Sequence, residues 1–317
     1  MLQTSQTLQD THTQLSPVAQ HTQRTPSLAD SAVLVSLNIS SWGGFKLDRS
    51  ATTQLNSDKS ASSDASRVNK NLMAGNSILK DIKKYESCIR ARHIEMTLPW
   101  GHSGSRLLAT SIMMDHKKQI SDMLSMLETM WDKFFFQYPQ VKADAYLHLG
   151  AMYDPNDYLS TEDLRAKFSH SLTFDPIAES GDFRIDVPKQ LMEELKEQYD
   201  NAVDSRVQTA ILASWKKVAD QVRAMTTKLN ITMDDEGKTP DGKTVRYHET
   251  FVQNIHNLCD LLVHLNVTND PQLDQARLDL KNAVRGVSVD TLKIPTNHAT
   301  RNEVKTKLDD ILAKYAL

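Results

Sequence analysis

The chain has 317 residues, 39% hydrophobic and 24% charged, with a formal net charge of −3. That is enough apolar material for one large core or two smaller ones. The near-neutral balance excludes a global electrostatic pull toward nucleic acid or an anionic membrane and leaves only local patches.

Ten glycines and ten prolines are few for this length and argue for helices over a turn-dense all-β chain. Cys88 and Cys259 lie far apart without C-x-x-C spacing. Neither a disulfide framework nor a zinc site is expected, and a reducing compartment fits. The start MLQTSQTLQDTHTQ has no basic segment followed by an apolar run, and no stretch is apolar for the length of a membrane span. The expectation is a soluble intracellular protein with no membrane partner.

Residues 1–31 are rich in Gln, Thr and Ser and are expected to be a disordered tail. Val33, Val35, Leu37 and Ile39 alternate with smaller or polar residues, the period of a half-buried strand. SWGGFKLD reads as a turn anchored by Trp42 and Phe45, and residues 51–66 as a loop or weak helix start. From about Ser66 the spacing of Val68, Leu72, Ile78, Leu79, Ile82, Tyr85 and Ile89 predicts a helix that Gly75 weakens or breaks. TLPWGHSGSRLL reads as a loop. Ile120, Met123, Leu124, Leu127, Met130, Trp131 and Phe134 predict a strongly amphipathic helix within 113–138.

Ser160 is the expected N-cap of the next helix, with Asp163 at its third position. SLTFDPIAESGDFRIDVP predicts two short strands around Gly181, expected to pair with the early strand. After Pro188 the longest periodic run, from Leu191 to Leu229, predicts one long helix or two broken by a kink. A turn-rich stretch, 232–247, separates it from a helix carrying Phe251, Ile255, Leu258, Leu262 and Leu265. The two runs are expected to form an antiparallel hairpin, since each has an apolar face in need of a partner. Asp270 and Pro271 mark another helix start. Val304, Leu308, Ile311, Leu312 and Tyr315 mark the last helix. The expected fold is mainly α, a multi-helix domain with a long antiparallel helical hairpin and a small β-sheet. Its expected organisation is a tail at 1–31, a mixed helical domain with short strands at 32–187, and the hairpin with C-terminal helices at 188–317.

GKTPDGKT, residues 237–244, fits the phosphate-loop pattern G-x-x-x-x-G-K-[ST]. A working phosphate loop follows a buried strand and opens a helix. Here a long helix precedes it, and Asp234, Asp235 and Glu236 would repel a triphosphate. Asp241–Gly242 is itself a hairpin-turn dipeptide, so a connector between helices is expected. GHSGS, residues 101–105, has Ser105 where a nucleophile elbow needs glycine. His102, His116, His148 and His170 lack metal-ligand spacing. The acids of DPNDYLSTED lack the glycine of a calcium loop and read as a helix start. The methionines of 113–130 read as core. No catalytic residue, cofactor site or metal site is expected. Lys80, Lys83, Lys84, Arg90 and Arg92 could form a phosphate-contacting face, or a solvated helix surface.

Four stretches in order, LVSLNISSWGGFKLD, TLPWGHSGSRLL, GDFRIDVP and LCDLLVHLNVTNDPQLD, resemble an uncharacterised family of phage and prophage proteins, a domain of unknown function. The resemblance runs from about Val33 to about Leu312. It implies an origin near genes for a MoxR-type AAA+ ATPase and a von Willebrand A-domain protein, and hence a partner of a remodelling system. The family has no catalytic motif to carry over. The resulting expectation is a non-enzymatic phage accessory or scaffold protein in the host cytoplasm that binds phage-encoded proteins, an AAA+ ATPase among them, and itself as a homo-oligomer. The alternative is a nucleic-acid-binding protein of phage replication or recombination, using residues 80–92 and exposed aromatics such as Trp42.

Overall fold

The computed structural model describes residues 28–101, 104–178, 187–234 and 236–317. The protein is mainly α with a small antiparallel sheet. Of the expected tail, 1–27 lies outside the described residues. Leu28–Ser31 is instead a helical turn, α1, whose Leu28 and Ala29 pack against the sheet.

The first strand, β1 (Ala32–Ser40), is central in a four-stranded sheet. Its alternation explains its two faces. Val33, Val35, Leu37 and Ile39 face the helices that follow it. On the other side Ala32 and Leu34 are covered, whereas Ser36, Asn38 and Ser40 meet only short polar contacts. A ribbon of β2 (Phe45–Leu47) and β3 (Asn69–Asn71) flanks α2 (Arg49–Asp58). The α2 helix was not resolved from loop in the sequence reading. Asp48 caps it through the Ala51 amide at 2.9 Å. Trp42 packs edge-to-face on Tyr138, but Phe45 is exposed, so only the tryptophan anchors this turn.

The helix α3 (Ile78–Met96) begins after Gly75, not at Ser66. Gly75 has φ +80°, and a Cβ there would lie 2.2 Å from His148, so it serves as a turn and a close approach. The expected loop at 97–108 contains β4 (Leu98–Pro99) and β5 (Arg106–Ala109), paired antiparallel through Leu98–Leu107 and Pro99–Arg106. Its apolar Leu98, Leu107 and Leu108 are buried, which outweighs the punctuation by Pro and Gly.

The helix α4 (Met113–Leu149) extends well past Tyr138. Pro139 sits on its solvent side and forgoes one amide hydrogen bond while the buried stripe continues through Val141 and Ala145. Ser160 caps α5 (Thr161–Arg165) as expected, accepting from the Asp163 amide at 3.0 Å and donating to its carboxylate at 2.7 Å. The strand β6 (Ser169–Asp175) pairs with β1 from Leu34–Asp175 to Ser40–Ser169, giving the order β4-β5-β1-β6. The second strand expected around 182–187 lies almost wholly outside the described residues.

The helix α6 (Lys189–Leu229) is one helix of 41 residues without a break. Its buried side starts at Ala210. It forms the hairpin with α7 (Thr250–Leu265): Ala210 shares a cluster with Leu265, while Met225 and Leu229 share one with Val252 and Ile255. The bundle is completed by α8 (Pro271–Ala283), capped by Asp270, then α9 (Val289–Lys293) and α10 (His298–Lys314). In the seam between sheet and bundle, Leu98, Trp100, Leu107 and Ala32 meet Ala210 and Leu265.

Candidate functional site

The phosphate-loop match is a closed hairpin. Asp234 accepts from the amides of Glu236 and Lys238 at 3.0 and 2.8 Å. The Thr239 and Gly242 amides are bonded to Lys243 O and Thr239 O, both at 2.8 Å, and the Lys243 amide to the Thr239 hydroxyl at 3.1 Å. Gly242, with φ +77°, follows a turn started by Pro240 and Asp241. The amides that would cradle a phosphate are therefore spent within the loop. The Lys243 ammonium pairs with Asp241 at 2.7 Å, and α7 starts only at Thr250.

The five basic residues of α3 do not share one free face. Lys83 donates to the Ser41 carbonyl and hydroxyl, and Arg90 to Ile39 O at 2.9 Å. Both flank Glu86, whose carboxylate is 1% exposed and stands 3.8 Å from Lys83 and 3.7 Å from Arg90. Arg92, on the opposite flank, forks onto Gln119 Oε1 at 2.9 and 2.7 Å and pairs with Glu95 at 2.7 Å. Lys80 and Lys84 remain, exposed and one turn apart. Trp42 is half-buried, with its ring edge-to-face against Tyr138.

Sequence reasoning missed a buried imidazole pair. His93 Nδ1 and His116 Nε2 are 3.0 Å apart, with the residues 5% and 0% exposed. Burial, the neighbouring imidazole and the Arg106 charge push His93 down to about 4. Burial and the Arg92 charge push His116 down to about 4. Both rings are therefore neutral near pH 7. A proton on His116 Nε2 leaves only an acceptor lone pair unmatched at its Nδ1, which costs less than an orphaned N–H. A signal existed: His93 follows Ile82, Glu86 and Ile89 on the α3 stripe, and His116 lies one turn before Ile120 on the α4 stripe.

Beside this pair the seam opens as a polar groove. One part, about 450 Å³, lies among Glu95, Lys217, Asp220, Asn254 and Asn257. It shares Glu95, Asn257 and Leu261 with a second part of about 320 Å³ that reaches Asp115, Asp260 and His264. Lys217 donates to Ile94 O and Glu95 O at 3.1 and 3.0 Å, capping the end of α3 from α6. Burial, then the Arg106 charge, lowers its pKa. The Ser111 hydroxyl and His264 Nδ1 are 2.9 Å apart on exposed surface, a contact that ties the turn before α4 to α7. Among the described residues, no group of three or more His, Cys, Asp or Glu could hold a metal, and no helix is long and apolar enough to cross a membrane.

The most exposed large apolar side chains lie on the outer side of α4, opposite its buried stripe. Phe136 is 86% and Leu147 78% exposed, with exposed Ala143 between them. Gln140, Lys133 and Asp144 border the same line. The methionines of this helix are divided: Met123 and Met130 pack on the core, whereas Met114 and Met126 face solvent. No family model, curated protein or solved structure matches this chain, so the likeness to the phage family rests on the four sequence stretches alone.

Proposed function

We propose that this chain is a non-enzymatic accessory or scaffold protein of a phage that acts in the host cytoplasm by binding other proteins, among them an AAA+ ATPase. The observation that carries the reading is the apolar line on the outer side of α4. A phenylalanine and a leucine placed a few turns apart on the solvent side of a long helix are costly to leave in water and suit a protein contact. The resemblance to a phage family encoded beside a MoxR-type ATPase supplies the kind of partner. The test is affinity purification of the tagged protein from phage-infected cells, beside the double variant Phe136→Glu/Leu147→Glu. The expected result is a phage ATPase or A-domain protein held by the wild type and lost from the variant. Capture of no phage protein, or of the same set by both, overturns the reading.

A second reading has one observation in its favour. Lys80 and Lys84 are exposed and pair with no side chain among the described residues, which suits them to meet phosphates. Under it the protein binds nucleic acid in phage replication or recombination. The wild type then shifts DNA or RNA in a salt-dependent manner, and Lys80→Ala/Lys84→Ala abolishes the shift.

A further inference from the structure

We infer that the outer side of α4 is a self-complementary surface on which a second copy of this chain docks antiparallel, about a two-fold axis near Gln140. The inference rests on the protein-binding reading above and names a second copy of the chain as the occupant of this surface, with capture of another protein expected through the assembled pair.

The argument is geometric. Helical residues advance by about 100° and 1.5 Å each. Seen down α4, Phe136, Ala143 and Leu147 fall on one side of the line through Gln140, and Lys133 and Asp144 on the other. All five are exposed. An antiparallel pair requires a two-fold axis perpendicular to the helices and lying in the plane between them. Such an axis keeps each side of the line against the same side of the other copy. Apolar groups therefore meet apolar groups, and charges meet charges.

The spacing along the axis also matches. Phe136 lies about 6 Å from Gln140 in one direction, and Ala143 and Leu147 about 4.5 and 10.5 Å in the other. After the two-fold rotation, Phe136 of one copy falls between Ala143 and Leu147 of the second. The large ring enters the gap over the small residue, twice. Lys133 and Asp144 come within about 4.5 Å of each other along the axis, so each ammonium faces the carboxylate of the other copy. Within its own chain Asp144 accepts a 2.8 Å hydrogen bond from Gln140, and Lys133 pairs with no side chain among the described residues. The charges are thus arranged to favour the antiparallel pair; a parallel pair, about an axis along the helices, would set Lys133 level with Lys133 and Asp144 level with Asp144 and would turn the charged side of each copy toward the apolar side of the other.

The experiment is sedimentation equilibrium of the purified full chain across the micromolar range, since one helix side is a small contact. The wild type is expected to dimerise. Phe136→Glu is expected to weaken the dimer by about tenfold or more, as are Lys133→Glu and Asp144→Lys singly. Lys133→Glu/Asp144→Lys together should return toward the wild-type constant. Because these side chains are exposed in the single chain, the unfolding midpoint of each variant, measured at a concentration where the wild type is monomeric, should stay unchanged. Leu147→Glu provides a second apolar probe should Phe136→Glu disturb folding. A wild type that stays monomeric, a dimer indifferent to both apolar variants, or a double charge swap no better than the singles overturns the inference. A monomer that still captures a phage protein through Phe136 overturns the dimer alone and leaves the proposed function. A dimer that captures none does the reverse.

Discussion

The layer of α3, α4 and the sheet buries several ionisable groups on the same helical stripes as its apolar core, while the α6–α10 bundle buries the hydroxyls of Ser214 and Thr226 and, of the charged side chains among the described residues, Arg301. Glu86, His93 and His116 lie beside Ile82, Ile89 and Ile120, and Lys70 is buried against Asp157 at 2.6 Å. In the bundle the buried charge is Arg301: its Nη1 donates to the Leu292 and Ile294 carbonyls at 3.2 and 2.6 Å, and its Nη2 to the Pro295 carbonyl at 2.6 Å. Arg301 thus replaces the missing helix partners between α9 and α10. The difference teaches that the two regions share a seam but respond to different conditions. The first is sensitive to protons; the second is held mostly by apolar area.

The largest effect should come from the aromatic centre of the first region. Phe134 is fully buried, with ring centroids 5.7 Å from Tyr138 and 5.8 Å from Phe168. Phe134→Ala should cost about 4 kcal/mol and Ile255→Ala, in the bundle, about 3 kcal/mol. Calorimetry decides whether the regions are separable. If the seam couples them, both variants lower one transition; separate transitions, each moved by its own variant, would make the contrast between regions sharper.

The imidazole pair gives the next effect, and its sign is fixed. With both folded-state values near 4 and an ordinary value of 6.5, the unfolded chain takes up protons first as pH falls. Stability is therefore full above pH 6.5 and declines from there toward pH 4, by on the order of 3 kcal/mol for such a group. Urea unfolding at stepped pH should show this slope in the wild type, and His93→Leu/His116→Leu should flatten it. An unchanged slope in the variant would break the assignment of acid sensitivity to the first region.

A smaller effect is expected at the seam. Lys217→Met removes the donor to two carbonyls at the end of α3 and should cost about 1 kcal/mol. Hydrogen exchange should then rise in the last turn of α3. The smallest effect is expected in the connector. Lys243 pairs only with an exposed aspartate, so Lys243→Ala should change stability by less than about 0.5 kcal/mol. It should also leave ATP and GTP binding unchanged from wild type, since titration is expected to detect none in either protein.

Periodicity made the helical parts of this fold legible. The stripe from Ile120 to Phe134 and the run from Leu191 to Leu229 specify long helices because apolar residues recur at helical spacing, although in the second run burial begins only at Ala210. Asp270 and Ser160 announced their helices by local capping chemistry. The sheet was half legible. The alternation in β1 stands in the sequence, but β4 and β5 are too short for a period, and their pairing is a long-range fact. Helix α2 has little apolar periodicity and depends on the Asp48 cap. The candidate surfaces were less legible still. The basic cluster at 80–92 is continuous in sequence, yet the α3 helix distributes it over different flanks. The histidine pair joins two helices 23 residues apart and is visible only as a polar letter on each apolar stripe. Phe136 and Leu147 were hidden behind the stronger stripe on the other side of the same helix.

The length of α4 has one more consequence, which concerns spacing. Gln119, at the polar groove of the seam, is 21 positions from Gln140 on one continuous helix, about 30 Å along its axis. In the antiparallel pair inferred above, the two grooves stand about 60 Å apart at opposite ends of a double rod. The helix then acts as a ruler: whatever the grooves hold is presented in duplicate at a fixed interval, set by the length of α4 between Gln119 and Gln140.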